Sequence, residues 1–310
     1  MASPEGAPSG CRHRSRFLAV PLVTALLTLL QLLTLEALRP GRAAAGGPPP
    51  AAVVADAVRA YGAGGTLAVV VARQRTPLTE GSVRAAEARS LRTIAYGSDN
   101  GPVADRPFPT ASMVKLFMAE DILGRARDGS ITLTSDDRHL LREMIRRSDD
   151  PAASALWVRF GGGQMVRDVA ARYGLAGTGP PPAAIPGQWG QAVTTAQDLA
   201  RFLARLPVVA HPDDAADLLH WMRTATPQAA DGFDQQFGLF GTLPGSPAVK
   251  QGWMCCVDGQ RHLHSVAVLG SRVVVLLSEV PRSVGYDAAR EALTAAGVAV
   301  AATTRTPGGR

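Results

Sequence analysis

Lysine is nearly missing from this 310-residue chain. Of its 32 basic residues 30 are arginine, and Lys115 and Lys250 are the two lysines. Arginine keeps its proton inside proteins, whereas a lysine amine can be driven neutral by its surroundings. Such usage points to two places that need an amine. Cysteine is scarce too, with Cys11, Cys255 and Cys256 alone. Neighbouring cysteines can close only a small ring, so a vicinal disulfide and a free pair both fit, and no disulfide framework follows. Aromatic residues make up 5% of the chain, and the arginines are scattered without a basic, aromatic-studded stripe, so nucleic acid is not expected as a partner. There is no internal repeat. No Gly-x-Ser-x-Gly elbow is present either, which argues against a Ser-His-Asp hydrolase.

The formal charge of +6 overstates the folded part. Residues 1–45 carry five arginines and two glutamates; without them 27 basic residues face 24 acidic ones. Residues 1–16 form a basic segment expected to stay in the cytoplasm. The uncharged run from Phe17 to Leu35, within a segment 17–38, is 19 residues long. That length suits a signal peptide or a membrane anchor, with Ala43-Ala44-Ala45 as a small-residue cleavage site. The positive flank stays inside, so the remainder is expected to be extracytoplasmic, secreted or anchored through this segment. Cys11 lies ahead of the apolar run and is not placed as a lipid-modified cysteine behind a cleavage site. Residues 39–51 form a Pro/Gly/Ala linker.

The folded domain is expected over 52–298, as a monomer, followed by a disordered tail over 299–310. Helical spacing runs over 52–61, and strand patterns over 66–71 and 91–96 end in a turn-rich stretch at 97–101. A helix beginning around Ser112 is expected to stop near Gly129. Thr134 is an N-cap with acidic residues behind it, and Pro151 suits a helix start. Further helices are expected over 164–173, 196–206 (with Thr195 and Asp198 as a capping box) and 212–224. Strands over 249–254, 261–269 and 273–280 precede a helix over 283–296. Strands at both chain ends with helices between them give an α+β domain: an antiparallel sheet built from both termini, with an inserted all-helical region.

The chemistry centres on Ser112-Met113-Val114-Lys115. Three residues apart in the first turn of a helix, a serine and a lysine share a face. The lysine can take the serine's proton, and the helix N-terminus favours negative charge there. A helix cap followed by a surface lysine is the plainer reading of those four residues. Two further pieces follow in chain order, Ser148-Asp149-Asp150 and Lys250-Gln251-Gly252. Cys255, Cys256, His262 and His264 are ligand types, but adjacent strand residues point to opposite faces, so no metal and no cofactor are expected.

Ser-x-x-Lys, Ser-Asp-Asp and Lys-Gln-Gly in this order resemble the three elements of the serine β-lactamase and penicillin-binding superfamily, closest to class A β-lactamase-like serine hydrolases. The resemblance covers residues 52–298 and implies the β-lactamase/transpeptidase-like fold. It implies Ser112 as nucleophile, Lys115 as its base, Ser148 as proton relay and Lys250 as a cation for a substrate carboxylate. It further implies an oxyanion hole from the N–H groups of Ser112 and Trp253. Asp150, Gln251, Gly252 and Trp253 would contact substrate, Asp150 replacing an asparagine, Gln251 a hydroxyl residue, and Trp253 narrowing the site. Between Asp168 and Asp198 there is no acidic residue, and Thr178 falls where class A enzymes carry the glutamate that activates the deacylating water. The implied activity is slow opening of β-lactams through an acyl-enzyme. The alternatives are a D-alanyl-D-alanine peptidase acting on peptidoglycan peptides and a catalytically silent binder of wall fragments or a protein partner.

Overall fold

The structure, a computed structural model, describes residues 50–62, 64–74 and 97–302. The leader and its basic flank, the strand expected over 91–96 and residues 303–310 lie outside the described residues. Among those described, no helix is long and apolar enough to cross a membrane.

The chain opens with α1 (Pro50–Tyr61) and β1 (Thr66–Arg73). The linker expected through residue 51 therefore ends earlier, because Pro50 and Ala51 already belong to the first turn. A two-residue β2 (Ser98–Asp99) and β3 (Phe108–Pro109) precede a 3-10 turn, Ala111–Met113, that runs straight into α2 (Val114–Arg127). Then come α3 (Ser135–Arg146), α4 (Asp150–Phe160) and α5 (Gly163–Tyr173). After an irregular loop follow β4 (Val193–Thr194), α6 (Ala196–Val209) and α7 (Pro212–Arg223). The chain closes with β5 (Ala248–Val257), β6 (Gln260–Leu269), β7 (Arg272–Pro281) and α8 (Tyr286–Ala302).

The main sheet is antiparallel, in the order β2-β1-β7-β6-β5, with β1 paired to β7. The sheet is thus assembled from the two ends of the chain with the helices inserted between them. Alternate residues serve opposite layers, as a pleated strand requires. From β1, Leu67, Val69 and Val71 join the cluster under α1 and α8, while Ala68, Val70 and Ala72 join the helical region on the other face. Because both faces are covered, β7 reads as the unbroken run Val273–Leu277, buried throughout.

Two expectations are corrected by packing. The final helix continues to Ala302 rather than giving way to a tail at 299, because Val300 and Ala301 are buried in the cluster shared with α1. Residues 98–99, expected as turn, pair with Val70 and Val71 of β1. Helix α6 also runs past Pro207, which sits in its last turn.

Local signals fix the helices that carry the site. At the start of α3, Thr134 Oγ1 accepts from Asp137 N (3.1 Å) while Thr134 N donates to Asp137 Oδ2 (2.8 Å). Arg159 of α4 reaches the same carboxylate oxygen at 3.1 Å, which ties α4 to α3. Thr134→Ala is expected to cost about 1 kcal/mol and lower Tm by about 2–4 °C. Thermal unfolding followed by circular dichroism reads this, and an unchanged Tm would show that the box is idle.

Candidate active site

Three elements meet at the expected residues: the N-terminal end of α2, the joint between α3 and α4, and strand β5. Ser112 lies in the 3-10 turn and Lys115 in the first turn of α2, both buried. The segment before them is clamped. Thr110 N donates to Ala192 O (2.7 Å), and His264 Nε2 donates to Pro109 O (2.8 Å). His264 Nδ1 accepts from Ser278 N (3.2 Å), which fixes the neutral tautomer. Complete burial pushes that imidazole down to about 3, so it stays uncharged. This role was missed in the sequence, where His-x-His is ordinary on a strand.

Ser148 occupies the joint between α3 and α4, with Asp149 capping α4 through Ala152 N (2.8 Å). Both Ser148 (φ 52°) and Ala111 (φ 45°) take left-handed backbone conformations that disfavour a side chain. Ala111, next to Ser112, and Ser148 are therefore held in these conformations by their surroundings.

Ser148 Oγ lies between the two amines. Lys250 Nζ donates to it at 2.8 Å and Lys115 Nζ at 3.3 Å. Lys115 also donates to Ser148 O (2.7 Å) and to Asp150 Oδ1 (2.5 Å), so its three protons face three acceptors. The Trp189 ring covers the same amine, with its centroid 4.8 Å away. Lys250 adds a bond to Gln251 O (2.7 Å). Burial lowers the pKa of Lys115 and outweighs the opposing pull of Asp150. Lys250 is driven well below the ordinary lysine value, first by complete burial and then by repulsion from Lys115.

The pleat of β5 decides what faces this cluster. Lys250, Gly252 and Met254 alternate onto the helical side. A Cβ on Gly252 would lie 3.1 Å from Ser112 N and 3.4 Å from the Ala111 Cβ, so glycine is what lets the strand close on the Ser112 backbone. A Cβ on Gly190 would lie 4.0 Å from Met254 Cε. Gln251 and Trp253 face the other way. Gln251 Nε2 donates to Phe237 O (2.6 Å) and Ser265 Oγ (3.0 Å), and Trp253 stacks on Phe233 with centroids 4.5 Å apart and planes 11° apart. The expectation that these two side chains line the substrate cleft is therefore corrected: the period of two that presents Lys250 turns both of them toward α8.

The loop between α5 and α6 brings an aromatic ring to the site in place of an acid. Thr178 Oγ1 donates to Asp198 Oδ2 (3.0 Å) and meets Thr194 Oγ1 at 2.8 Å, while Trp189 reaches Lys115. At the far, exposed end of β5, Cys255 and Cys256 are disulfide-bonded to each other.

Known proteins share this architecture. A β-lactamase from Xanthomonas campestris pv. campestris str. ATCC 33913 superposes with a TM-score of 0.58 at 19% identity, over 82% of this chain and 97% of that one. PBP-A, in a variant seen as an acyl-enzyme complex with penicillin G, gives a TM-score of 0.59 at 16% identity, over 82% and 98%. At such identities the likeness is one of fold. By sequence, 170 residues are 40% identical to the protein named "Putative lipoprotein LppW" of Mycobacterium tuberculosis (strain ATCC 25618 / H37Rv). The match takes in 52% of each chain, so this chain spans about half the length of the curated relatives it matches. The model of the beta-lactamase enzyme family matches residues 136–297, over half of the chain, from α3 through Ser148 and Lys250 into α8. Fold, motif order and family model agree, and the chain belongs to the beta-lactamase enzyme family.

Proposed function

We propose that the chain is an exported serine hydrolase that forms an acyl-enzyme through Ser112 and releases it slowly. The observation that carries this reading is the hydrogen-bonded chain Lys115–Ser148–Lys250 beside Ser112, with Gly252 closed on the Ser112 backbone. In it, one amine is matched to a carboxylate, whereas the other has only neutral acceptors, Ser148 Oγ and Gln251 O. Lys115 carries the positive charge that Asp150 balances. Lys250, driven toward neutrality, is the amine free to accept a proton, and its 2.8 Å contact then runs from the Ser148 hydroxyl to the amine. Ser112 would pass its proton through Ser148, and Ser148 would return it to the leaving group. This moves the base from Lys115, the residue expected from the motif, to the Ser148–Lys250 pair. The oxyanion would lie against the N–H groups of Ser112 and Trp253.

Release is slow because the α5–α6 loop presents Trp189 and a hydrogen-bonded Thr178 where a water-activating carboxylate would be needed. Prolonged incubation with excess penicillin, followed by intact-mass analysis and peptide mapping, is expected to give a single adduct on Ser112 that lasts for hours. No adduct, an adduct elsewhere, or rapid turnover would overturn the reading. Export is supported by the basic segment and apolar run at the N-terminus, and by a relative named as a lipoprotein.

A further inference from the structure

We infer that the Cys255–Cys256 disulfide is a reversible modification site, opened by a dithiol reductant, and that its opening slows acylation of Ser112. The second half rests on the acyl-enzyme reading above.

A disulfide between neighbours is a poor staple. Its stabilising effect grows with the length of chain it closes off, and here the two ends are adjacent. What it restrains is its own stretch of β5. Consecutive strand residues point to opposite faces, so joining their sulfurs requires a break in the pleat. The break is there. Cys255 pairs with Arg261 and Val257 with Gln260, which leaves Cys256 as an extra residue without a partner on β6. The turn beyond is made by Asp258 and Gly259, at φ 49° and 73°.

A bulge bends its strand and raises the local twist, so fixing the bulge fixes how the residues before it are aimed. Those residues are Gly252, closed on the Ser112 backbone, and Trp253, whose N–H is proposed above for the oxyanion. The neighbouring strand is anchored and cannot follow. His264, opposite Gly252, is bound to Pro109 O (2.8 Å), and Arg261, opposite Cys255, is stacked 4.4 Å from the Tyr286 ring centroid of α8. On its other side β5 is the edge of the sheet among the described residues. A change at the bulge is therefore taken up by β5 itself.

The bond is also open to attack, because both cysteines are exposed. Cross-strand neighbours share a face, and Arg261 has no hydrogen-bond partner at Nε or Nη1. Its charge favours Cys255 as the sulfur that leaves as thiolate. A thiolate of the reductant then bonds to Cys256 Sγ, and the S–S bond breaks with its electron pair on Cys255 Sγ, which takes a proton. The second thiolate of the reductant attacks the mixed disulfide and frees Cys256 in the same way. Two electrons and two protons reach the protein, and the dithiol closes to a cyclic disulfide.

The test treats the folded full chain with dithiothreitol, counts thiols at 255 and 256 by alkylation and peptide mapping, and follows acylation by a fluorescent penicillin once the reagent is removed. Reduction is expected to slow acylation about tenfold, within what a small misplacement of reacting groups costs. It should move Tm by less than about 2 °C, since no loop is released. Reoxidation should restore the rate. The Cys255→Ser/Cys256→Ser double variant should acylate at the reduced rate with or without dithiothreitol. A bond that opens only on unfolding, a rate unchanged or raised by reduction, or a response that persists in the double variant overturns this inference, while a Ser112 adduct leaves the acyl-enzyme reading standing. A reduced protein that no longer unfolds cooperatively would make the bond a structural staple and overturns it too. Absence of any adduct in every form overturns both.

Discussion

Lys250→Met is expected to cut Ser112 acylation on the order of a thousandfold, within the range a positioned acid–base group supplies, and at the same time to make the protein more stable at neutral pH. The loss follows from the Ser148–Lys250 contact at 2.8 Å, which gives the relay its acceptor. The gain follows from burial. Lys250 is 1% exposed, and its pKa is well below the ordinary lysine value. The unfolded chain holds that proton up to about pH 10.4, whereas the folded chain gives it up at lower pH. Stability conferred by the wild-type residue therefore rises with pH between the folded and unfolded pKa values and is flat outside them. Methionine fills a similar volume with no proton to bind. It leaves Gln251 O without its 2.7 Å donor, which offsets part of the gain. The net advantage of the variant at pH 7 is expected to be about 1–3 kcal/mol, narrowing as pH approaches 10. Unfolding at pH 5, 7 and 10 beside acylation rates checks both halves. A variant that acylates normally would return the base to Lys115, and one less stable at every pH would mean that the amine is held by more than its two hydrogen bonds.

This trade was half visible in the chain. Two lysines among thirty arginines mark positions where an amine is needed, and Ser112, Ser148 and the residues beside them follow from motif order. Thr134 and Thr195 announce their helices because a cap depends on the residues next to it, and in both the threonine accepts from the N–H three residues on. What depends on a distant partner was not legible. Whether Gln251 or Lys250 faces Ser112 is set by which face of β5 meets α2, and a one-residue difference exchanges them. A carboxylate at Asp150 would by itself raise the pKa of Lys115. It does pull that way, yet burial pulls harder, and burial is a property of the fold. Trp189 reaches Lys115 across 74 positions of sequence. The last turn of α8 exists because α1, from the other end of the domain, receives Val300 and Ala301.

The same non-local logic makes Gly297→Ala the substitution expected to harm stability most. A Cβ there would stand 2.1 Å from Gly238 O and 2.7 Å from Gly238 C, both backbone atoms, and 3.0 Å from Thr242 Oγ1. Gly238 has no room to retreat. It takes φ 62°, and a Cβ of its own would meet Ser265 Cβ at 2.5 Å, so the turn is pressed between α8 and β6. Its amide is held by Thr294 Oγ1 (3.1 Å), one turn before Gly297. The methyl must therefore lift α8 or displace the turn, and overpacking that cannot relax costs about 3 kcal/mol or more. For a domain of this size that lowers Tm by roughly 6–12 °C. The consequence also runs into β5, the strand that carries Lys250. Phe237 O accepts from Gln251 (2.6 Å) and Leu239 N donates to Ser265 Oγ (2.8 Å), so a shifted turn loosens the anchors beside Lys250. Gly297→Ala should accordingly slow acylation in molecules that remain folded, although residue 297 touches none of the reacting groups. Thermal unfolding and acylation below the transition separate the two effects. If Tm stays within 2 °C of the parent, α8 is free to slide over the turn, and the position of Lys250 must then be set by its own strand pairing with β6 alone.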